Sequence, residues 1–133
     1  MVTNSRMPVY NTTMYTDDEG ITRVIHFQTC IVEHDAECET ICFNTDGWHE
    51  RGSPTTKQRI NIYLMHYAGL VGWRCYQRNY MWYINTRSQD GHINSVLPFT
   101  DKMIVNTRTG QIMYDPSRSQ RLYCDNKVVD IPA

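Results

Sequence analysis

A chain of 133 residues, 41% hydrophobic and 20% charged with a net charge of −1, has an ordinary globular composition with room for one domain. No stretch approaches the ~20 consecutive apolar residues of a membrane span. The opening residues Met1 to Arg6 have no apolar run behind them, so neither an anchor nor a signal peptide is expected. The small net charge hides a segregation: residues 17–50 hold nine acids against Arg23 alone, whereas residues 51–87 hold six bases and no acid. Two halves so charged either neutralise each other across paired strands or leave a local positive surface.

In chain order, residues 1–21 are polar and without period, and read as a loose arm before a single domain over 22–133. Residues 22–33 read as one strand with Ile25, Phe27 and Ile31 on one face. Asp35 to Glu39 is a turn, and Thr40 to Asn44 is a short strand paired back as a hairpin. Beyond a loop at 46–52, Ser53 is a good N-cap and Pro54 suits the first helical position. Ile60, Tyr63, Leu64 and Tyr67 then repeat at helical spacing, which predicts a helix over about 54–68 ended by Gly69. Trp73 to Arg78 and Met81 to Asn85 read as strands joined at Asn79-Tyr80, followed by a polar loop over 86–96. Two further hairpins are expected, Lys102–Asn106 with Gln111–Tyr114 and Arg121–Asp125 with Val128–Ile131. The fold class is α+β: a mostly antiparallel sheet, a ββαββ core plus C-terminal hairpins, with one main helix packed on it.

Four groups of residues bear on chemistry. At the helix start, the hydroxyls of Ser53, Thr55 and Thr56 stand beside the cations Lys57 and Arg59, with no acid in the first turn. Unpaired N–H groups and the positive end of the macrodipole make such a turn suited to an anion, although Ser53 is equally explained as a plain cap. Next, the run 73–83 interleaves aromatic and basic residues, and strand alternation puts Arg74, Tyr76 and Arg78 on one face. Rings stack on bases while guanidiniums meet phosphates; the alternative is that Trp73, Trp82 and Tyr83 are core. Third, His26, Cys30, His34, Cys38 and Cys42 recur every four residues, but in strands that spacing separates them, so no metal and no cofactor are expected. The five cysteines are odd in number and lack C-x-x-C, and reduced thiols used as small core residues are expected. Last, Asp46, His49 and Glu50 share one loop, the only candidates for a small hydrolase, yet nothing marks a nucleophile.

The segments Asn44-Thr45-Asp46-Gly47-Trp48, Thr55-Thr56-Lys57-Gln58-Arg59-Ile60-Asn61, Trp73 to Arg78, Trp82-Tyr83-Ile84 and Pro98 to Met103 resemble a family of small uncharacterised tailed-phage proteins. The resemblance covers about residues 22–105. The chain departs from the pattern in a longer loop between Trp48 and Thr55 and in Lys102, where glycine is expected. The resemblance implies a phage origin; with neither a signal peptide nor a membrane span expected, the host cytoplasm is the expected location. The reading is a non-enzymatic accessory protein that binds an anionic ligand, either a nucleotide-like signalling molecule withheld from host defence or single-stranded nucleic acid. Ser53, Thr55, Thr56, Lys57 and Arg59 would hold phosphate, with Arg74 and Arg78 in support, and Trp48, Tyr76 or Tyr80 would stack on a base. The competing reading is a protein-interaction module that inhibits a host protein or sits in the virion, presenting its acidic segment 33–50 or a sheet edge. Its hairpin edges also favour self-association; no membrane partner is expected.

Overall fold

The computed structural model describes residues 3–5, 11–116, 121–124 and 127–130, with side chains over 11–116. Among the described residues twelve strands form three antiparallel sheets, accompanied by one α-helix. The largest has seven strands, made by β1 (Thr3–Ser5), β2 (Thr12–Thr16), β3 (Ile21–His26), β4 (Thr29–Asp35), β5 (Thr40–Phe43), β9 (Met103–Asn106) and β10 (Ile112–Tyr114) in that spatial order. A three-stranded sheet follows the order β6 (Arg74–Arg78), β7 (Met81–Arg87), β8 (Asn94–Pro98). β11 (Arg121–Cys124) and β12 (Lys127–Asp130) pair as the last hairpin, in agreement with the sequence reading. The α+β class with one main helix is therefore correct.

Three elements differ from expectation. The predicted strand over 22–33 is a hairpin: β3 and β4 pair from Ile21↔Asp35 to His26↔Thr29, leaving Phe27 and Gln28 as a two-residue turn. Phe27 is thus 65% exposed and not a core residue. The burial that decides the matter is Val24 opposite Val32, both fully buried, which folds the apolar run back on itself. Part of the expected loose arm is β2, paired with β3 from Thr12↔His26 to Thr16↔Thr22. Its β-branched threonines suit a strand, and Thr12 and Met14 turn inward. The expected polar loop over 86–96 contains the end of β7 and most of β8.

Helix α1, Pro54–His66, follows the sequence rules closely. The Ser53 side chain accepts from the Thr56 N–H at 3.3 Å, satisfying one of the unpaired donors of the first turn. Gly69 takes the left-handed conformation just beyond its end, at φ 69°. Ile60, Tyr63 and Leu64 are buried in one core cluster with Val24, Ile41 and Phe43 of the large sheet and Cys75, Trp82 and Ile84 of the small one. The helix therefore lies between the two sheets, not on a single one. A tyrosine and an imidazole make its polar contact with β4: His34 Nδ1 lies 2.7 Å from the Tyr63 hydroxyl. Burial pushes that phenol up to about 12, so it keeps its proton at neutral pH. Among the described residues no helix is long and apolar enough to cross a membrane.

Cys30, Cys42 and Cys75 are free thiols, and burial pushes Cys42 and Cys75 up to about 12. Cys38 is disulfide-bonded, against the expectation of five reduced cysteines.

Candidate functional site

A cleft of about 530 Å³ opens where three segments meet: the β3–β4 turn, the 3-10 turn Trp48–Arg51 and the first turns of α1. Phe27 and Trp48 stand on its walls, half or more exposed. Ser53, Thr55 and Thr56 line it from the helix start, and Arg59 from one turn further on. Its lining contains no acid.

The interior of the cleft is built by a short hydrogen-bond chain. Arg59 is only 9% exposed. Its Nε donates to Thr12 Oγ1 at 3.2 Å, and its Nη1 donates to Gln58 Oε1 at 2.9 Å. The Thr12 hydroxyl lies 3.1 Å from His26 Nδ1. Burial, reinforced by the Arg59 charge, holds His26 below the ordinary imidazole range. A neutral ring suits this chain, because in its Nε2–H tautomer Nδ1 can accept the threonine proton. The fixed positive charge in the cleft is therefore Arg59, with a titratable imidazole behind it.

A second network holds the wall that carries Trp48. Asp101 Oδ1 accepts from the Thr45 N–H at 2.6 Å and from the Thr45 hydroxyl at 2.8 Å, while Oδ2 accepts from the Gly47 N–H at 2.7 Å. Thr45 Oγ1 also accepts from the His49 N–H at 3.0 Å. His49 Nδ1 sits 3.3 Å from Asp101 Oδ2, and its ring packs against Phe99 and Trp82. Of the loop residues considered for hydrolysis, His49 has an architectural use: with Asp101 it holds the 44–48 segment to the 98–103 segment. Trp48 emerges from this knot with the Arg51 guanidinium 5.0 Å from its ring centroid.

The structure divides the residues predicted from sequence. Trp48, Ser53, Thr55, Thr56 and Arg59 share the cleft. Lys57 does not: two helical positions from Arg59, it points to the small sheet, with Nζ 3.4 Å from Gln77 Oε1 and 5.6 Å from the Trp82 ring centroid. Arg74, Tyr76 and Arg78 lie on the outer face of the small sheet, as the alternation predicted. Tyr80, 92% exposed, occupies the β6–β7 turn with Asn79, both at positive φ. Trp73 and Trp82 are core at 3% exposure each.

Sequence reasoning missed Phe27, His26, Thr12 and Asp101. Phe27-Gln28 lacks the glycine or asparagine that marks a tight turn. The available signal was the break in alternation, since one strand cannot bury Val24 and Val32 on the same face as Ile31. Among the described residues no group of three His, Cys, Asp or Glu is arranged to hold a metal ion.

The two charge-segregated segments do not neutralise each other directly. Among the described residues, Arg23 pairs with Asp17 and Glu33 within 17–50, Glu39 reaches Arg108, and His49 lies against Asp101. None joins an acid of 17–50 to a base of 51–87.

The Kyanoviridae Gp96 protein family model matches residues 1–106. β1 to β9, the helix, the cleft and the Asp101 knot therefore fall within a phage protein family, and the chain belongs to it. The match begins at residue 1, so the stretch 1–21, outside the resemblance found from sequence, is part of the family. No curated protein and no solved structure matches the chain significantly.

Proposed function

We propose that this phage protein is a non-enzymatic accessory protein whose cleft binds a small aromatic anion of the nucleotide class, removing a signalling molecule from the reach of host defence. The observation that carries the reading is the buried Arg59 guanidinium at the floor of an acid-free cleft with exposed rings on its walls. A cavity of this size is in the range of small-ligand pockets, which combine apolar walls with a few polar groups. Thr55, through its hydroxyl and its backbone N–H at the helix start, supplies donors for phosphate beside Arg59, and Phe27 and Trp48 supply faces for a base. Phe27 adds a second argument. It holds φ 55° in a turn where glycine is the unstrained residue, and backbone strain of this kind clusters at ligand sites.

A thermal-shift panel of nucleotides, cyclic dinucleotides and ADP-ribose derivatives, at low and high salt, tests the proposal. A ligand at ~100 times its dissociation constant adds about 2.7 kcal/mol, several degrees for a domain of this size. The expected result is a salt-tolerant shift with one ligand, lost in Arg59→Gln and retained in Lys57→Gln. No shift with any ligand, or a shift that survives Arg59→Gln, contradicts the assignment.

A further inference from the structure

The outer face of the β6–β7–β8 sheet is separate from the cleft and has a different composition. Register places Tyr76 directly opposite Tyr83, and Arg78 opposite Met81. The two tyrosine rings are 5.6 Å apart and 28° from parallel. The opposite face of the same strands carries Cys75, Trp82, Ile84 and Thr86, all buried. The tyrosine face is thus the one turned to solvent, and Met81 is 58% exposed on it.

Its charge is of one sign. Arg74 and Arg78 flank Tyr76 on β6 about 13 Å apart, and Arg87 lies at the far end of β7. All three are exposed. Arg74 and Arg78 make no side-chain hydrogen bond or ion pair among the described residues, and Arg87 makes one long contact, 3.4 Å to the Gly91 carbonyl. No acid occupies any position of β6, β7 or β8. Long cations left unpaired around a pair of rings are arranged for a partner with a negative backbone and flat groups between its charges.

We infer that this face binds single-stranded nucleic acid. Sheet faces that bind single strands stack two or three bases on aromatic side chains, and basic residues beside the rings track the phosphates. A protein partner would also use tyrosine, methionine and arginine, but it would not require the complete absence of acids. The inference does not depend on the cleft: the face uses none of its residues.

Fluorescence anisotropy with labelled oligothymidylate and oligouridylate of about ten nucleotides tests it on the full chain. Binding is expected at low salt. Tyr76→Leu, which keeps apolar bulk and removes the ring, should weaken it about tenfold. The double variant Arg74→Gln/Arg78→Gln should flatten the slope of log affinity against log salt by about 1.4, for two lost phosphate contacts. Arg59→Gln should leave oligonucleotide binding unchanged. The Tyr76, Arg74 and Arg78 variants alter exposed or half-exposed groups, whereas Arg59 is buried; an unchanged melting temperature establishes that each is folded. Absence of binding by the folded protein, or affinity unaffected by the arginine double variant, overturns the inference. Loss of binding in Arg59→Gln also overturns it, by moving the contact to the cleft. A host protein held on this face with no oligonucleotide binding is a further contrary result.

Discussion

The Asn61 side chain closes the backbone of Cys75 from both sides: its Nδ2 donates to the Cys75 carbonyl and its Oδ1 accepts from the Cys75 N–H, each at 2.7 Å. β6 is the edge strand of the small sheet, so these two groups face α1 with no neighbouring strand. The amide of Asn61 takes the place of that strand. Asn61→Ala leaves a donor and an acceptor unpaired against the helix and is expected to cost about 2 kcal/mol. Asn61→Asp should not rescue it, because a carboxylate would face the Cys75 carbonyl. Urea denaturation measures the loss, and hydrogen exchange at Cys75 locates it; an unchanged midpoint for both variants contradicts the assignment.

Asp101 gathers three donors from Thr45 and Gly47. Hydrogen bonds to a charged acceptor are each worth about 1.5–3 kcal/mol, and they act jointly here. Asp101→Ala should destabilise the chain by about 3 kcal/mol and free the 3-10 turn that presents Trp48. Limited proteolysis within 44–52 should then proceed faster than in the parent. Equal cleavage rates would mean that the turn is held by other contacts.

His26 and His34 are both held below the ordinary imidazole range, each mainly by burial. As pH falls through about 6.5, the unfolded chain takes up protons that the folded chain refuses. Stability is therefore present above that pH and declines below it. The melting temperature should fall between pH 7.5 and 5.5, a window above the titration of the lowered carboxylates Asp17 and Asp90. If an anion occupies the cleft, it favours the protonated form of His26, and its affinity should rise over the same interval. A melting temperature flat over that window would contradict the first expectation, and an affinity independent of pH the second.

Lys102 takes φ 69° at the start of the β9 segment, with its N–H bonded to the Phe43 carbonyl at 2.7 Å. The left-handed region costs a side-chain-bearing residue about 1–2 kcal/mol, part of which glycine returns as unfolded-state entropy. Lys102→Gly is expected to stabilise by up to about 1 kcal/mol, whereas Lys102→Ala should give no gain. Chemical denaturation of the pair decides it: equal midpoints would remove the backbone explanation.

What was legible in the sequence follows from how local the physics is. Ser53-Pro54, the 60–67 stripe and Gly69 are local signals, and α1 forms where they place it. Asn79-Tyr80 and the 102–114 hairpin were legible for the same reason. The β3–β4 turn was not, because Phe27-Gln28 carries no turn residue and only the pairing of Val24 with Val32 creates it. The site was legible where it sits on one element, from Ser53 to Arg59. Its other half comes from the β3–β4 hairpin, more than 20 positions before Ser53, and from the turn that carries Trp48. The direction of Lys57 away from Arg59 depends on which sheet each faces, which helical spacing alone does not specify. The resemblance did mark Asp101, but only contact with Thr45 and Gly47 shows its use.

The Phe27 turn has a consequence for how this family can change. One wall of the cleft is the tip of a two-residue hairpin, held by the strands behind it and by the Phe27 N–H bond to the Asn11 carbonyl at 2.9 Å. Replacing that tip alters what the cleft admits while the buried pairs Val24–Val32 and His34–Tyr63 remain as they are. On the ligand-binding function proposed for the cleft, recognition can therefore vary at residues 27 and 28 with the scaffold conserved, and deep sequencing of a library at those two positions is expected to show broad tolerance for folding beside narrow tolerance for binding.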